Sequence, residues 1–164
     1  MATTTETKTN VMRILDQKKI AYTPHTDPPG EGLAVDGISV ARSMGQDPAR
    51  VFKTLVTQGA SKTYYVFDIP VAASLDLKKA AKAVGEKSVT MLPARELLPL
   101  TGYVHGGCSP IGMKKQFRPV LHASAFEHVP IVVSGGRIGA QVELLPQTLL
   151  DLVRGSTADV IVDA

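Results

Sequence analysis

The chain has 164 residues, 44% of them hydrophobic, and a formal charge of +3 with a pI near 9.0. Length and composition suit one compact domain, and the small positive charge permits an RNA partner without demonstrating one. A single cysteine excludes an intramolecular disulfide, and no apolar stretch approaches the roughly twenty residues that span a bilayer. We therefore expect a cytoplasmic protein without a membrane segment, with residues 1–8 as a disordered lead-in and 9–164 as one domain.

The first half of the chain alternates short apolar segments with turn residues. Thr9 or Asn10 caps a helix that ends near Lys19. Two apolar runs rich in β-branched and aromatic residues are separated by a short turn, and they predict a hairpin. In chain order the predicted elements are a strand at 20–24, a surface loop at 27–32, a short helix at 38–44, a helical turn at 47–50, and the hairpin strands at 51–57 and 64–70.

The second half mixes strands and helices without a regular βαβ repeat. Asp76 caps an alanine-rich helix that Gly85 ends, and Pro93 and Pro146 each begin a further helix. We predict strands at 120–123, 131–134, 138–144 and 160–162, the second of them central and broken by a glycine pair. This order favours an α/β (α+β) fold with a mixed, partly antiparallel sheet.

Residues 102–115 form the most distinctive stretch, with four glycines, a serine–proline pair and two lysines in fourteen positions. Gly106 and Gly107 allow the backbone to approach another group closely, and Pro110 stiffens the loop. Bare amide groups in a stiff loop suit a carbonyl oxygen or a phosphate. A plain turn between two strands is an equally open reading, and the spacing is not that of a Walker A loop.

Lys53 is the sharpest single candidate for chemistry. Because lysine is rarely buried without a partner, a lysine within an apolar strand either reaches solvent at a sheet edge or faces a pocket. Cys108 lies in the amide-rich loop and is either a nucleophile or a small hydrophobic residue. Ser134 lacks the surrounding glycines of a hydrolase elbow. The four histidines show no metal-ligand spacing, so no metal or cofactor is predicted.

Three motifs taken together closely resemble the YbaK/EbsC family, and the resemblance runs from about Tyr22 to Val162. The motifs are VFKTLV at 51–56, GGCSPIGMKK at 106–115 and VSGGRIG at 133–139. The family is related to the editing domain of bacterial prolyl-tRNA synthetases. The resemblance implies one domain with a mixed, largely antiparallel sheet or partial barrel flanked by helices.

The resemblance also implies an activity, which is the hydrolysis in trans of cysteine wrongly esterified to tRNA(Pro). In the family mechanism the substrate's own thiol attacks its ester, which gives a thiolactone and free tRNA. Lys53 matches the family's essential lysine, and no cofactor is required. The remaining residues that we assign to the substrate site on this resemblance are Tyr22, Thr54, Gly106, Gly107, Cys108, Ser109, Pro110 and Ser134.

Several alternatives stay open at this point. Cys-tRNA(Cys) is a further candidate substrate, and an editing enzyme for Ala-tRNA(Pro) shares the lysine and the serine–proline turn. A module that binds tRNA or a synthetase without chemistry is also compatible with the motifs. Because the positive charge is modest, we expect a transient complex with prolyl-tRNA synthetase to supply tRNA specificity.

Overall fold

Two β-sheets form the centre of the protein in the computed structural model, which describes residues 8–26 and 45–163. The predicted loop at 27–32, the predicted helix at 38–44 and most of the predicted lead-in lie outside these residues. The strands are β1 (Thr23–Thr26), β2 (Phe52–Gly59), β3 (Tyr64–Pro70), β4 (Val89–Met91), β5 (Val120–His122), β6 (Ile131–Arg137), β7 (Ala140–Leu144) and β8 (Ser156–Ala158). The helices are α1 (Asn10–Gln17), α2 (Leu77–Val84), α3 (Ala94–Thr101), α4 (Pro146–Val153) and a 3-10 helix (Ala123–Glu127).

The larger sheet has the strand order β4-β2-β3-β5-β8, and the smaller sheet has the order β1-β7-β6. Strands β4, β2 and β3 are antiparallel, whereas β5 and β8 continue the larger sheet in parallel. Within residues 8–26 and 45–163, one parallel bridge joins the two sheets, between Val51 and Val132, where Val132 N donates to Arg50 O over 2.8 Å. The predicted α/β fold with a mixed, largely antiparallel arrangement is confirmed.

Local sequence explains where the helices begin and end. The Thr9 hydroxyl accepts a hydrogen bond from Met12 N, and the Asp76 carboxylate accepts from two amides in the first turn of α2. Gly85 and Gly102 end α2 and α3 in the left-handed conformation that glycine adopts without strain. No helix in residues 8–26 and 45–163 is both long and apolar enough to cross a bilayer.

Three strand predictions need correction. The terminal strand predicted at 160–162 is wrong, because β8 lies earlier at Ser156–Ala158 and Ile161 makes only an isolated bridge with Leu75. The glycine pair does not break β6, which continues to Arg137 through a register shift after Ser134 and lies at the edge of the smaller sheet. The strand predicted at 20–24 is displaced to β1, where pairing with β7 sets its position.

Candidate functional site

A cavity of about 340 Å³ lies beside the place where the two sheets meet. Its wall combines the first half of β2, the hairpin of β6 and β7, and the tip of the glycine-rich loop. The wall is mainly apolar, with a few polar side chains, as is usual for small-molecule sites. The described residues that line it are Val51, Phe52, Lys53, Thr54, Leu55, Val71, Leu97, His105, Gly106, Cys108, Ser134, Arg137, Ile138, Gly139, Ala140 and Gln141.

Lys53 supplies the cavity with a cation that is already partly dehydrated. Its side chain is half-buried, and burial lowers the pKa of the ammonium group. Within the part of the chain that the structure describes, no carboxylate pairs with Lys53 and no hydrogen-bond acceptor contacts it. The ammonium group is therefore available to a carbonyl oxygen or phosphate of a ligand, and its charge acts more strongly here than in bulk water.

The glycine-rich loop reaches the cavity through Gly106 and Cys108. Gly106 has φ of +88°, which turns the backbone at the cavity wall. Gly107 N donates to Val104 O over 3.0 Å, so this amide is already bonded within the loop. The buried Ser109 hydroxyl accepts a hydrogen bond from Ile111 N over 3.2 Å. Gly107, Ser109 and Pro110 thus shape the loop from behind and do not belong to the cavity wall.

Gly107 is also where the loop packs against the hairpin of the smaller sheet. A Cβ atom at this position would lie 2.8 Å from Ile138 N and 2.9 Å from two backbone atoms of Arg137. We expect Gly107→Ala to lower the free energy of unfolding by about 1–3 kcal/mol, the usual cost of overpacking. Denaturant unfolding of the variant measures this cost. Unchanged stability would show that the loop and the hairpin separate easily.

Cys108 has the environment of a structural thiol. It is buried, and burial together with the nearby negative charge of Asp68 raises the pKa of the thiol to about 12. Because the thiolate is the reactive form, almost none of this cysteine is nucleophilic near pH 7. Of the two readings that the sequence left open, the geometry favours the small hydrophobic residue.

Thr54 lines the cavity and connects it to a buried carboxyl group that the sequence-based predictions missed. Thr54 on β2 pairs with Asp68 on β3, and the Thr54 hydroxyl donates a hydrogen bond to Asp68 Oδ1. Burial raises the pKa of Asp68 from 3.8 to about 7. The available signal was one carboxylate in an otherwise apolar strand, but only the strand register shows which residue it contacts.

Polar groups from the smaller sheet complete the wall. The Ser134 hydroxyl accepts a hydrogen bond from Gly136 N over 3.1 Å, and no histidine bonds to it among the described residues. Gln141 is buried, and its side-chain oxygen accepts a hydrogen bond from Gln46 over 2.8 Å. Sequence reasoning had not selected Gln141, because a polar residue at this point of a strand carries no local signal.

Tyr22 and the lysine pair after the loop lie away from the cavity wall. The Tyr22 hydroxyl donates to Asp16 Oδ1 over 3.1 Å, and its ring packs at the edge of the main core. Lys114 and Lys115 are exposed, and the Lys115 ammonium lies 5.7 Å from the centre of the Phe117 ring. Across the described ranges, no cluster of three His, Cys, Asp or Glu side chains could hold a metal ion.

Fold and site together define a mixed α/β domain with a half-buried lysine in a mainly apolar cavity. Residues 35–152 match the family model of the aminoacyl-tRNA editing domain, and the chain belongs to this family. A protein of Enterococcus faecalis (strain ATCC 700802 / V583), assigned as the Cys-tRNA(Pro)/Cys-tRNA(Cys) deacylase EbsC, is 45% identical over 156 residues, which cover 95% of this chain and 94% of that protein. The predicted family is confirmed, and so is the enzyme class, a hydrolase that acts on aminoacyl-tRNA.

Two crystal structures share the fold at low sequence identity. The hypothetical protein APE2540 superposes with a TM-score of 0.82 at 22% identity, covering 93% of this chain and 99% of that chain. A structure assigned as a trans-editing enzyme for prolyl tRNA synthetase gives a TM-score of 0.78 at 23% identity, covering 93% of this chain and 95% of that chain. At these identities the likeness concerns the fold alone.

Proposed function

We propose that this protein hydrolyses cysteine wrongly esterified to tRNA(Pro), with the substrate's own thiol as the nucleophile. The observation that carries the proposal is a cavity with an unpaired lysine and no activated nucleophile of its own among the described residues. The Cys108 thiol has a pKa of about 12, and no histidine in the described part of the chain is hydrogen-bonded to the Ser134 hydroxyl. The 45% identical relative, assigned as a Cys-tRNA(Pro)/Cys-tRNA(Cys) deacylase, supports the choice of substrate.

The arrangement acts mainly by positioning and by electrostatics. The apolar wall holds the aminoacyl group so that its thiol meets its ester carbonyl, and such proximity removes much of a reaction barrier. Negative charge develops on the carbonyl oxygen as the thiol attacks. Lys53 is the charged donor that offsets it, and the apolar surroundings of the ammonium group strengthen this interaction.

The deciding experiment compares three esters of one tRNA. Purified enzyme is mixed with Cys-tRNA(Pro), Ala-tRNA(Pro) and Ser-tRNA(Pro), and loss of the labelled amino acid is followed in single turnover. We expect rapid loss from the cysteine ester alone, because only cysteine carries a thiol. Equal loss from all three esters would contradict attack by the substrate thiol. Binding of the charged tRNA without loss from any ester would indicate a binding module.

The role of Cys108 is tested by Cys108→Ala. We expect the variant to retain activity on Cys-tRNA(Pro) within about tenfold of the unmodified protein, because a thiol with so high a pKa supplies little thiolate. The measurement is the same single-turnover assay, accompanied by a thermal unfolding curve. A folded variant with no activity would restore the enzyme thiol as the nucleophile.

We also infer that prolyl-tRNA synthetase supplies the choice of tRNA. In the described part of the cavity wall, the charged basic side chains are Lys53 and Arg137. Two positive charges are too few to distinguish one tRNA from another through backbone contacts. Immobilised protein should therefore retain the synthetase only when tRNA(Pro) is present. If the isolated protein discriminates Cys-tRNA(Pro) from Cys-tRNA(Cys) as strongly as the mixture does, this inference fails.

A further inference from the structure

Asp68 is the most unusual polar residue in the described part of the protein. It is 0% exposed and lies on β3 between Phe67 and Ile69, which are equally buried. Only Oδ1 has a hydrogen-bond partner, the Thr54 hydroxyl, whereas Oδ2 has none among the described residues. One neutral hydrogen bond does not offset the cost of dehydrating a carboxylate. A neutral side chain could link the two strands without this cost, so the buried acid indicates a chemical role.

The acid lies directly behind the cavity wall. Thr54 and Cys108 both line the cavity, and both are near Asp68: the first through a hydrogen bond, the second through the electrostatic effect on its thiol. Because the hydroxyl hydrogen of Thr54 is committed to Asp68, its oxygen offers only lone pairs to a neighbouring molecule. It can therefore accept a hydrogen bond from a donor, such as a thiol, that enters the cavity.

We propose that Thr54 and Asp68 form a relay that removes the proton from the thiol of the substrate. This inference rests on the proposed deacylase function and adds a catalytic base to it. The thiol proton passes to Thr54 Oγ while the Thr54 proton passes to Asp68 Oδ1, so the carboxylate becomes a carboxylic acid. The sulfur forms a bond to the ester carbon, the bond from that carbon to the ribose oxygen breaks, and the released oxygen takes a proton from water. The hydroxide that this leaves takes the proton from Asp68 through Thr54, which restores the carboxylate, so that the net change is transfer of the thiol proton to the released ribose hydroxyl.

The electrostatic surroundings suit such a base. Burial raises the pKa of Asp68 to about 7, close to the working pH at which a general base is most effective. Among the described residues, the titratable groups on the elements next to Asp68 are Lys53 on β2, His122 on β5, and Tyr103 and Cys108 in the glycine-rich loop. Tyr103 and Cys108 have pKa values of about 12 and stay neutral, and burial lowers the pKa of His122. Deprotonation of Lys53 would make the activity fall as the pH rises, whereas ionisation of Asp68 makes the activity rise.

The test is the pH dependence of single-turnover deacylation with Cys-tRNA(Pro) between pH 5 and pH 9. For the unmodified protein we expect a rate that rises with an apparent pKa near 7. For Asp68→Asn we expect a rate about a hundredfold lower at pH 7, with the rise displaced toward the ordinary thiol pKa of about 8.5. The deficit should shrink markedly at pH 9, because hydroxide then deprotonates the thiol without the relay.

Two Thr54 variants and one cavity histidine variant make the result specific. Thr54→Val should reproduce the Asp68→Asn profile, whereas Thr54→Ser keeps the hydroxyl and should keep the rise near pH 7. His105→Gln should also keep that rise, which separates Asp68 from the histidine in the cavity wall. The Thr54 pair decides the matter if Asp68→Asn does not fold.

The outcomes separate this proposal from the function on which it rests. Loss of activity in Asp68→Asn by the same factor at every pH, or a Thr54→Val profile like that of the unmodified protein, would overturn the relay while leaving the deacylase intact. An unmodified protein that releases cysteine no faster than buffer would overturn the proposed function itself, and the relay with it.

Discussion

Lys53→Ala is expected to lower kcat/KM for Cys-tRNA(Pro) about a thousandfold. In the described cavity wall, the ammonium group of Lys53 is a half-buried cation without a partner. Removing one preorganised donor to a developing oxyanion costs about a hundredfold to a thousandfold in rate. A full positive charge beside a mainly apolar wall belongs at the upper end of this range. Single-turnover and steady-state assays on Cys-tRNA(Pro) measure the effect.

Matched variants separate the charge of Lys53 from its bulk. Lys53→Met keeps an unbranched apolar side chain in the wall and should be as inactive as Lys53→Ala. Lys82→Ala removes an exposed lysine from α2 and should leave the rate within about twofold, since exposed charges interact weakly. Because Lys53 has no partner in the described residues, its removal should not lower the unfolding midpoint. A Lys53→Ala rate above a tenth of the original would refute the essential role.

Asp68→Asn is expected to stabilise the folded protein at neutral pH. It should also remove the dependence of the unfolding free energy on pH that the native acid imposes. The pKa of Asp68 is raised from 3.8 to about 7 on folding, so the folded state binds the proton more tightly than the unfolded state. Tighter proton binding stabilises the folded state. This stabilisation is fully present below about pH 4 and is lost as the pH rises to about 7. A shift of about three pH units corresponds to about 4 kcal/mol at most.

The measurement is denaturant unfolding of both proteins at pH 4, 5.5, 7 and 8. The difference in unfolding free energy between variant and native protein should grow from near zero at pH 4 to a plateau above pH 7. Comparing the two proteins cancels the exposed carboxylates, such as Asp16 and Asp159, whose lowered pKa values act in the opposite direction. A difference that does not change with pH would show that Asp68 titrates normally.

Much of the fold could be predicted from short-range chemistry. The hairpin of β2 and β3 follows from two apolar runs around a turn, in which Lys62 N donates to Gly59 O over 2.9 Å. The ends of α1 and α2 follow from their capping residues. These features depend on neighbours in sequence, so the sequence alone contains the relevant information. The same holds for Lys53, because a lysine within an apolar strand is visible without a structure.

The features that escaped prediction depend on distant pairing. Segment 160–162 is as apolar as a strand, yet β8 forms at Ser156–Ala158 because that segment is the one that meets β5 in register. Asp68 is recognised as a candidate only when the strand register places it opposite Thr54. Gln141 is recognised only when β7 places it in the cavity wall.

In the described part of the chain one bridge joins the two sheets, and this bears on how the protein moves. Between Val51 and Val132 the ladder of hydrogen bonds is only one pair long, and the cavity lies next to it. Such a seam is the natural place for local opening, so the Val132 amide should exchange its hydrogen with solvent faster than amides in the middle of the β2–β3 ladder. A ligand that contacts both sides of the cavity would bridge this seam and slow that exchange. Amide exchange at Val132 therefore offers a report on occupancy that does not depend on turnover.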